Sequence, residues 1–392
     1  MKLNVAVFFG GRSVEHEISI ISAQQAMAAA DKEKYNIIPI YIAKTGIFYT
    51  SPEMSSVESF KNIPELLKKS TRVIFVNDEK GAKMESYPKK LFGGISEYID
   101  VALPIMHGTN GEDGTLQGYI ETLGIPYAGC GVLASALGMD KVMMKRVLKD
   151  SGVPVLDCEA FYSSDWFKNK NEILEKIEKI GYPVIVKPAN LGSSVGIKKA
   201  KDRSELEEAV DDAFSFAEKV LVERAIEKLR EINCAVLGDA DGVITSVCEE
   251  PFGGEILSYE DKYMGGSKST KSSGMASLAR KVPADLTEEE SDKIRQMVAD
   301  TFKALGCAGA SRVDCMIDGE DGKMYVNEIN TIPGSLSFYL WEAAGVSFGE
   351  VVDKLIEIAL KTARIKEKLT FTFETDVLSL QGGAKGSKNC KI

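Results

Sequence analysis

Apolar positions in the first third of the chain come in short runs separated by longer amphipathic stretches. Runs at 5–9, 37–42, 73–76 and 101–106 have strand length, and stretches 19–30 and 114–123 carry helical spacing. Such strand–helix alternation predicts a parallel sheet covered on both faces. Sheets of that kind present ligands at the carboxyl ends of their strands. Two glycine-containing segments fall there: Phe9-Gly10-Gly11-Arg12-Ser13-Val14-Glu15-His16, and His107-Gly108-Thr109-Asn110-Gly111-Glu112-Asp113-Gly114.

The pattern changes near Gly138. A helix over 140–151 stops at Gly152 and Pro154. A helix at 171–180 follows, then a strand at 183–187, a glycine-rich loop and a helix at 205–216. A third unit opens on the strand-like 221–223. It continues with strands at 231–237, 243–247, 311–317 and 323–327 and helices at 288–305 and 348–361. Between them, 259–279 is rich in Gly, Ser, Lys and Thr, and a loop of that length in a compact domain is usually a lid or binding loop. The expected class is α/β: an N-terminal parallel-sheet domain (1–136), two α+β subdomains (137–218 and 219–375), and a disordered tail (376–392).

Composition narrows the function classes. The 392 residues carry a net charge of −10, from 58 acidic and 48 basic side chains, which argues against a nucleic-acid binder. No stretch approaches the roughly 18 apolar residues of a membrane span, and the N-terminal apolar run is too short for a signal core. The seven cysteines are scattered without a C-x-x-C pair, as expected of a reducing, cytoplasmic compartment.

Three groups of residues carry candidate chemistry. Lys187-Pro188-Ala189-Asn190-Leu191-Gly192-Ser193-Ser194-Val195-Gly196 follows a predicted strand. Small residues let backbone N–H groups approach an anion closely, and the lysine adds a point charge for phosphate. A glycine-rich hairpin with a surface lysine fits the same residues. Arg312-x-Asp314 and Glu328-x-Asn330 each put two polar side chains on one strand face, and all four converge if the strands pair. Asp, Glu and Asn oxygens suit Mg²⁺ and an arginine suits a transferring phosphoryl group, while a solvated ribbon face is the plain alternative. Glu223 and Glu231 flank the start of the third unit, where a carboxylate can accept hydrogen bonds from ribose or adenine or simply sit at the surface. His16 and His107, near strand ends, read as hydrogen-bonded structural residues rather than bases.

Taken in order, the motifs resemble the D-alanine–D-alanine ligase family of the ATP-grasp superfamily. The resemblance is carried by Phe9-Gly-Gly-Arg-Ser-Val-Glu-His-Glu-Ile-Ser19, His107-Gly-x-x-Gly-Glu-Asp-Gly-x-x-Gln117, Gly138-Met-Asp-Lys141, Lys187-Pro-x-x-x-Gly-Ser-Ser-x-Gly196, Tyr259-x-x-Lys-Tyr263, Arg312-x-Asp314 and Asn327-Glu-Ile-Asn-Thr-x-Pro-Gly334. It spans the chain to about Ala363. It implies a Rossmann-like N-terminal domain followed by two subdomains that enclose ATP. Lys141, Lys187 and the loop with Gly192, Ser193 and Ser194 would meet the phosphates. Glu223, Arg224 and Glu231 would meet the adenosine, and Lys262 and Tyr263 would lie in a closing loop. Asp314, Glu328 and Asn330 would carry two Mg²⁺ ions, with Mn²⁺ an alternative. Glu15, with Ser193 and Tyr263, would hold the ammonium of a first D-alanine, while Arg312 and the Gly334 N–H would stabilise the tetrahedral intermediate. The implied enzyme is a homodimer that makes D-alanyl-D-alanine for peptidoglycan.

The chain departs from the family pattern in three places. Tyr339 stands where the family has a serine that binds the second substrate's carboxylate, which leaves Ser335, Ser337, Tyr339 and Leu340 as candidates for that job. The Glu223–Glu231 spacing is one residue longer, with Arg224 for a common lysine. The loop after Tyr263 is long and basic. A Lys262-Tyr263 pair favours a dipeptide over a depsipeptide product, with D-serine, another amino acid or D-lactate as alternative second substrates and a non-catalytic nucleotide binder as a further alternative.

Overall fold

The computed structural model describes residues 2–89, 92–192, 195–251 and 280–375. Three sheets lie among them. The first comprises β1 (Leu3–Gly10), β2 (Tyr35–Ile42), β3 (Phe48–Thr50), β4 (Thr71–Asp78), β5 (Gly81–Ser86), β6 (Ser96–Tyr98) and β7 (Val101–Pro104), in the order β6-β5-β4-β3-β2-β1-β7. It is mixed rather than parallel. β1 runs parallel to β2 and β7, whereas β3 to β6 pair antiparallel. Connection length decides this. Helix α1 (His16–Ala29) gives β1 the long crossover that a parallel neighbour needs, but residues 43–47 allow only a hairpin into β3. Both faces of β1 are covered, as its continuous apolar run predicts. Val5, Val7 and Phe9 pack with α1, and Ala6 and Phe8 face Leu116 and Ile120 of α3 (Thr115–Thr122).

Two further helices, α4 (Val132–Met139) and α5 (Lys141–Asp150), lead to the second sheet. Its strands are β8 (Cys158–Tyr162), β9 (Val184–Pro188), β10 (Lys198–Ala200) and β11 (Lys219–Arg224), all antiparallel in the order β10-β9-β11-β8. The strand at 221–223, assigned from the sequence to the third unit, is therefore hydrogen-bonded into the second sheet. Helices α6 (Ser163–Glu178) and α7 (Arg203–Ala213) cover one face. The first of them begins well before the expected 171, interrupted at Asn169 by a non-helical φ of −127° that masked the pattern.

The third sheet contains β12 (Leu229–Asp239), β13 (Gly242–Pro251), β14 (Arg280–Lys281), β15 (Gly309–Asp318) and β16 (Met324–Asn330), in the order β14-β13-β12-β15-β16 and antiparallel throughout. One face presents Ile232, Cys234, Val236, Val313, Cys315 and Ile317 to α8 (Glu288–Ala304) and to Met144 and Leu148 of α5. The opposite face is apolar only at one end, where Ala235, Leu237 and Ala310 join the core shared with the first sheet and α10 (Phe348–Lys366). Its remaining stretch is polar. A tight turn over Gly334–Ser337 and the short helix α9 (Phe338–Ala343) lead into α10. No helix among the described residues is long and apolar enough to cross a membrane.

Candidate functional site

The polar stretch of the third sheet is a set of cross-strand rows. Glu328 of β16 lies opposite Asp314 of β15, Asp314 opposite Asn233 of β12, and Asn233 opposite Glu249 of β13. Directly opposed residues share a face, so one row of four polar side chains crosses four strands. A neighbouring row sets Asn330 opposite Arg312. The four residues read from the i, i+2 spacing thus come together as the pairing of their strands requires. Arg312 grips both oxygens of Asp314, at 2.6 and 2.8 Å, and Asn330 donates to Oδ2 at 3.0 Å.

A β-bulge beside this row adds a residue that spacing could not locate. Register shifts between Asp314 and Cys315, which lifts Asn327 out of the ladder, and its Oδ1 accepts from Lys187 Nζ at 2.9 Å. Lys187, at the end of β9, also pairs with Glu223 Oε1 at 2.5 Å. Lys145 of α5 holds Oε2 at 2.7 Å. All three ions are almost wholly buried. Burial alone would push the Glu223 carboxyl up, but Lys187 and Lys145 outweigh it and hold it down at about 2. Glu231 adds its field to Lys187 from β12. Arg224 turns the other way, to Asp318 at 2.9 Å and over the ring of Tyr325.

Lys141 stands at the start of α5, whose N-cap Asp140 accepts from the N–H groups of Val142 and Met143. Its Nζ reaches Glu328 Oε2 at 3.0 Å and the carbonyl of Leu191 at 2.9 Å, so it joins the glycine-rich loop to the polar row. Glu15 approaches the same loop from the first sheet. A Cβ placed on Gly192 would lie 3.4 Å from Glu15 Oε2, and one placed on Gly108 only 2.5 Å from it. Gly108, at φ +69°, is thus glycine for two reasons: its backbone conformation and this carboxylate. Ser193, Ser194, Lys262 and Tyr263, together with the loop at 259–279 and the tail from 376, lie outside the described residues.

Both histidines are buried and hydrogen-bonded. His107 Nδ1 faces the Ile332 carbonyl at 2.9 Å; a carbonyl only accepts, so Nδ1 carries the proton and Nε2 accepts from the Ser22 hydroxyl at 2.8 Å. The Ser22 oxygen then accepts the Ser335 N–H at 2.9 Å. Burial depresses the His107 pKa, in keeping with a neutral ring. Glu112, a motif residue given no role from the sequence, spans the same junction. It accepts from Gly108 N and Ile332 N, both at 2.9 Å, and burial together with the nearby Glu15 pushes its carboxyl up to about 8.

The four second-substrate candidates fare differently. Leu340 is fully buried in the core with Trp341, so its side chain lines no substrate space. Ser337 is fully buried too, and its hydroxyl has no partner among the described residues. Ser335, Leu336 and Ser337 all have φ between 51° and 53°, a left-handed run without glycine that follows Gly334. Tyr339 donates its hydroxyl to Glu249 Oε1 at 2.9 Å, so the phenol proton is committed within the protein.

Comparison with known proteins places this arrangement. The chain matches the D-ala D-ala ligase N-terminus model over residues 4–130 and the D-ala D-ala ligase C-terminus model over 147–357. It belongs to the D-alanine–D-alanine ligase family. A D-alanine–D-alanine ligase of Thermosipho melanesiensis is 41% identical over 382 residues, covering 97% of this chain and 99% of that one. Among solved structures, the D-alanine-D-alanine ligase from Coxiella burnetii superposes with a TM-score of 0.76 at 30% identity, covering 94% of this chain and 98% of its own. The VanG D-Ala:D-Ser ligase from Enterococcus faecalis gives 0.76 at 31% identity, over 92% of this chain and 100% of its own. A ligase of the family from Bacillus anthracis, solved as a complex with ATP, gives 0.65 at 26% identity, over 93% and 99%. The polar residues that the structure brings beside the recognised ones, and that sequence reading gave no role, are Lys145, Asn233, Glu249, Arg280 and Asn327. The one available signal was the alternation Glu231-x-Asn233, which repeats the spacing of the recognised pairs.

Proposed function

We propose that the chain is an ATP-dependent ligase that joins two D-alanines through an acyl phosphate, in the ATP-grasp manner, with ATP enclosed between the second and third sheets. The observation that carries this reading is the convergence of Lys141 from α5, Lys187 from the second sheet, and Arg312, Asp314, Glu328 and Asn330 from the third, onto one polar face. Asp314 and Glu328, opposed across one rung, offer the hard oxygens that Mg²⁺ takes together with nucleotide phosphates. These two and Asn330 would hold Mg²⁺, or Mn²⁺, which supplies charge neutralisation at the phosphates when bound.

Lys141 and Lys187 bind and orient the phosphates, and the backbone around Gly192 and the hydroxyls of Ser193 and Ser194 close over them. The Glu223–Arg224 segment runs past the adenine, with the Arg224 side chain turned away to Asp318, Glu231 holds the ribose, and Lys262 closes over the site. Glu15 holds the ammonium of the first D-alanine with Ser193 and Tyr263. The carboxylate oxygen of that D-alanine attacks the γ-phosphorus, ADP leaves, and a D-alanyl phosphate results. The amine of the second D-alanine then attacks the acyl carbon, loses a proton, and displaces inorganic phosphate. Arg312 and the Gly334 N–H stabilise the oxyanion of that step. Positioning and charge stabilisation carry the reaction, with no covalent enzyme intermediate.

The proposed setting is a cytoplasmic homodimer supplying D-alanyl-D-alanine for peptidoglycan, with a first domain at 1–136 and the second, from 137, extended to take in β11 (Lys219–Arg224). The test is phosphate release dependent on ATP, Mg²⁺ and D-alanine, with the product identified by mass. Turnover with D-alanine alone, yielding the dipeptide, supports the reading. Turnover only with a D-alanine and D-serine or D-lactate pair moves the function to that product. Silence with every pair, with ATP still bound, overturns it.

A further inference from the structure

The polar face does not end at the recognised residues. Past Asn233 it continues to Glu249 on β13 and to Arg280 on β14, which lies opposite Pro251, two residues along the same strand face. Arg280 Nη1 donates to Glu249 Oε2 at 2.8 Å, and its guanidinium lies over the Tyr339 ring, 4.4 Å from the centroid. Glu249 Oε1 receives the Tyr339 hydroxyl at 2.9 Å and Asn233 Nδ2 at 3.1 Å. The side chains of Arg280 and Glu249 are 9% and 2% exposed, so this is an interior network rather than a surface ion pair.

Its position is specific. Glu249 stands in the same cross-strand row as Asn233 and Asp314, and Arg312 grips Asp314, so the network adjoins the arginine assigned to the oxyanion; Tyr339 lies in the fields of both Arg280 and Arg312. An acceptor amino acid carries its carboxylate one carbon from its amine. When that amine reaches a carbonyl held at Arg312, the carboxylate must lie in the immediate neighbourhood. Of the groups there, the phenol donates its hydrogen bond to Glu249 and Ser337 is sealed in the core. A guanidinium can keep one nitrogen on Glu249 and a ring against its face while other edge donors grip a second carboxylate. A buried Arg–Glu pair is a poor device for stability alone, since well-packed apolar groups often do as well.

We propose that Arg280, laid flat on Tyr339 and anchored by Glu249, binds the carboxylate of the second amino acid, in place of the serine hydroxyl that Tyr339 displaces. This rests on the ligase reading above. It assigns Tyr339 a positioning role as the platform for the cation, and Glu249 the role of fixing both.

The test is initial-rate kinetics on the full chain, with the two D-alanine constants resolved from the dependence of rate on D-alanine. Wild type is run first with D-alanine and with the mixed pairs. Activity there decides the ligase reading, and the acceptor that works is the one used for the variants. Arg280→Gln raises the KM for the second amino acid on the order of tenfold to a hundredfold, while the constants for ATP and the first D-alanine stay within about twofold. Arg280→Lys recovers part of the loss, and Tyr339→Phe, which keeps the platform and drops only the hydroxyl, shifts the acceptor KM far less than Arg280→Gln. An unchanged acceptor KM in Arg280→Gln overturns the proposal. So does a uniform loss across all three constants, which marks a structural role, or a larger effect from Tyr339→Phe, which hands the carboxylate to the phenol. Wild type silent with every acceptor overturns both readings together.

Discussion

Lys187 and Glu223 sit on adjacent strands with Nζ 2.5 Å from Oε1, both nearly sealed from solvent. The lysine proposed to bind phosphate is thus also half of an interior ion pair. Lys187→Ala removes turnover, and it strands Glu223 with Lys145 as its remaining cation. Breaking a buried pair costs about 3–5 kcal/mol. Urea denaturation with ATP binding measured alongside checks this. A variant that loses turnover at unchanged stability would show that Glu223 does not need Lys187.

Two carboxyls give opposite pH slopes. Glu223, held at about 2, stabilises the fold above its ordinary unfolded value, and that contribution fades as pH falls from the usual glutamate range towards 2. Glu112, pushed up to about 8, stays protonated in the fold while the unfolded chain ionises, so it costs stability progressively as pH rises from the usual range to about 8. Thermal midpoints taken from pH 5 to 8 should decline less in Glu112→Gln than in wild type. Equal slopes in the two proteins would rule Glu112 out as the titrating group.

Ser22 is the middle of a relay: it donates to His107 and accepts from the Ser335 N–H. Ser22→Ala leaves a buried ring nitrogen and a buried amide without partners, at about 1–3 kcal/mol each. Because that amide belongs to the left-handed turn, the acceptor KM rises with the loss of stability. Chemical denaturation read beside steady-state kinetics separates the two effects.

The left-handed run distinguishes otherwise similar substitutions. At φ 53°, Ser337 pays a backbone cost of about 1–2 kcal/mol that glycine escapes, and its hydroxyl has no partner among the described residues. Ser337→Gly therefore folds with stability within about 1 kcal/mol of wild type or above it, since removing strain offsets the added freedom of the unfolded chain. Ser337→Val, β-branched in the same conformation and the same sealed site, loses about 2 kcal/mol or more. Comparable stabilities for the two variants would contradict the conformation.

Asp314 is clamped by Arg312 on both oxygens, so a cation can engage it only by sharing or displacing that grip. Asp314→Asn keeps the shape and removes the charge. It lowers the affinity for ATP in the presence of Mg²⁺ far more than in its absence, which calorimetric titration with and without the metal measures. An equal loss in both conditions would take Asp314 out of the metal-binding set.

Much of the site was legible because β-structure has period two. Arg312-x-Asp314 and Glu328-x-Asn330 needed only their strands to be neighbours to converge, and strands 15 and 16 are. The long helices α5, α7, α8 and α10 likewise follow their apolar stripes. Other features depended on pairings that no local pattern encodes. Asn327 reaches Lys187 because of a bulge, and Arg280 reaches the site on a two-residue strand too short to show any alternation. β11 read as the start of a new unit because apolar runs do not announce which sheet they join. The antiparallel half of the first sheet was hidden in the same way, its strands β3 and β6 having three residues each.

The rows across the third sheet also set a tolerance for everything built on them. Val313, Cys315 and Ile317 face α8, while Arg312 and Asp314 face the opposite way from the same strand. A slip of one residue would exchange the two sets, pressing an aspartate into the apolar interior and turning a valine onto the polar face. The greasy side of β15 is therefore the gauge by which its charged side is aimed. A change in the bulk of Val313, out of reach of any substrate, alters the chemistry by moving the ruler rather than the marks on it.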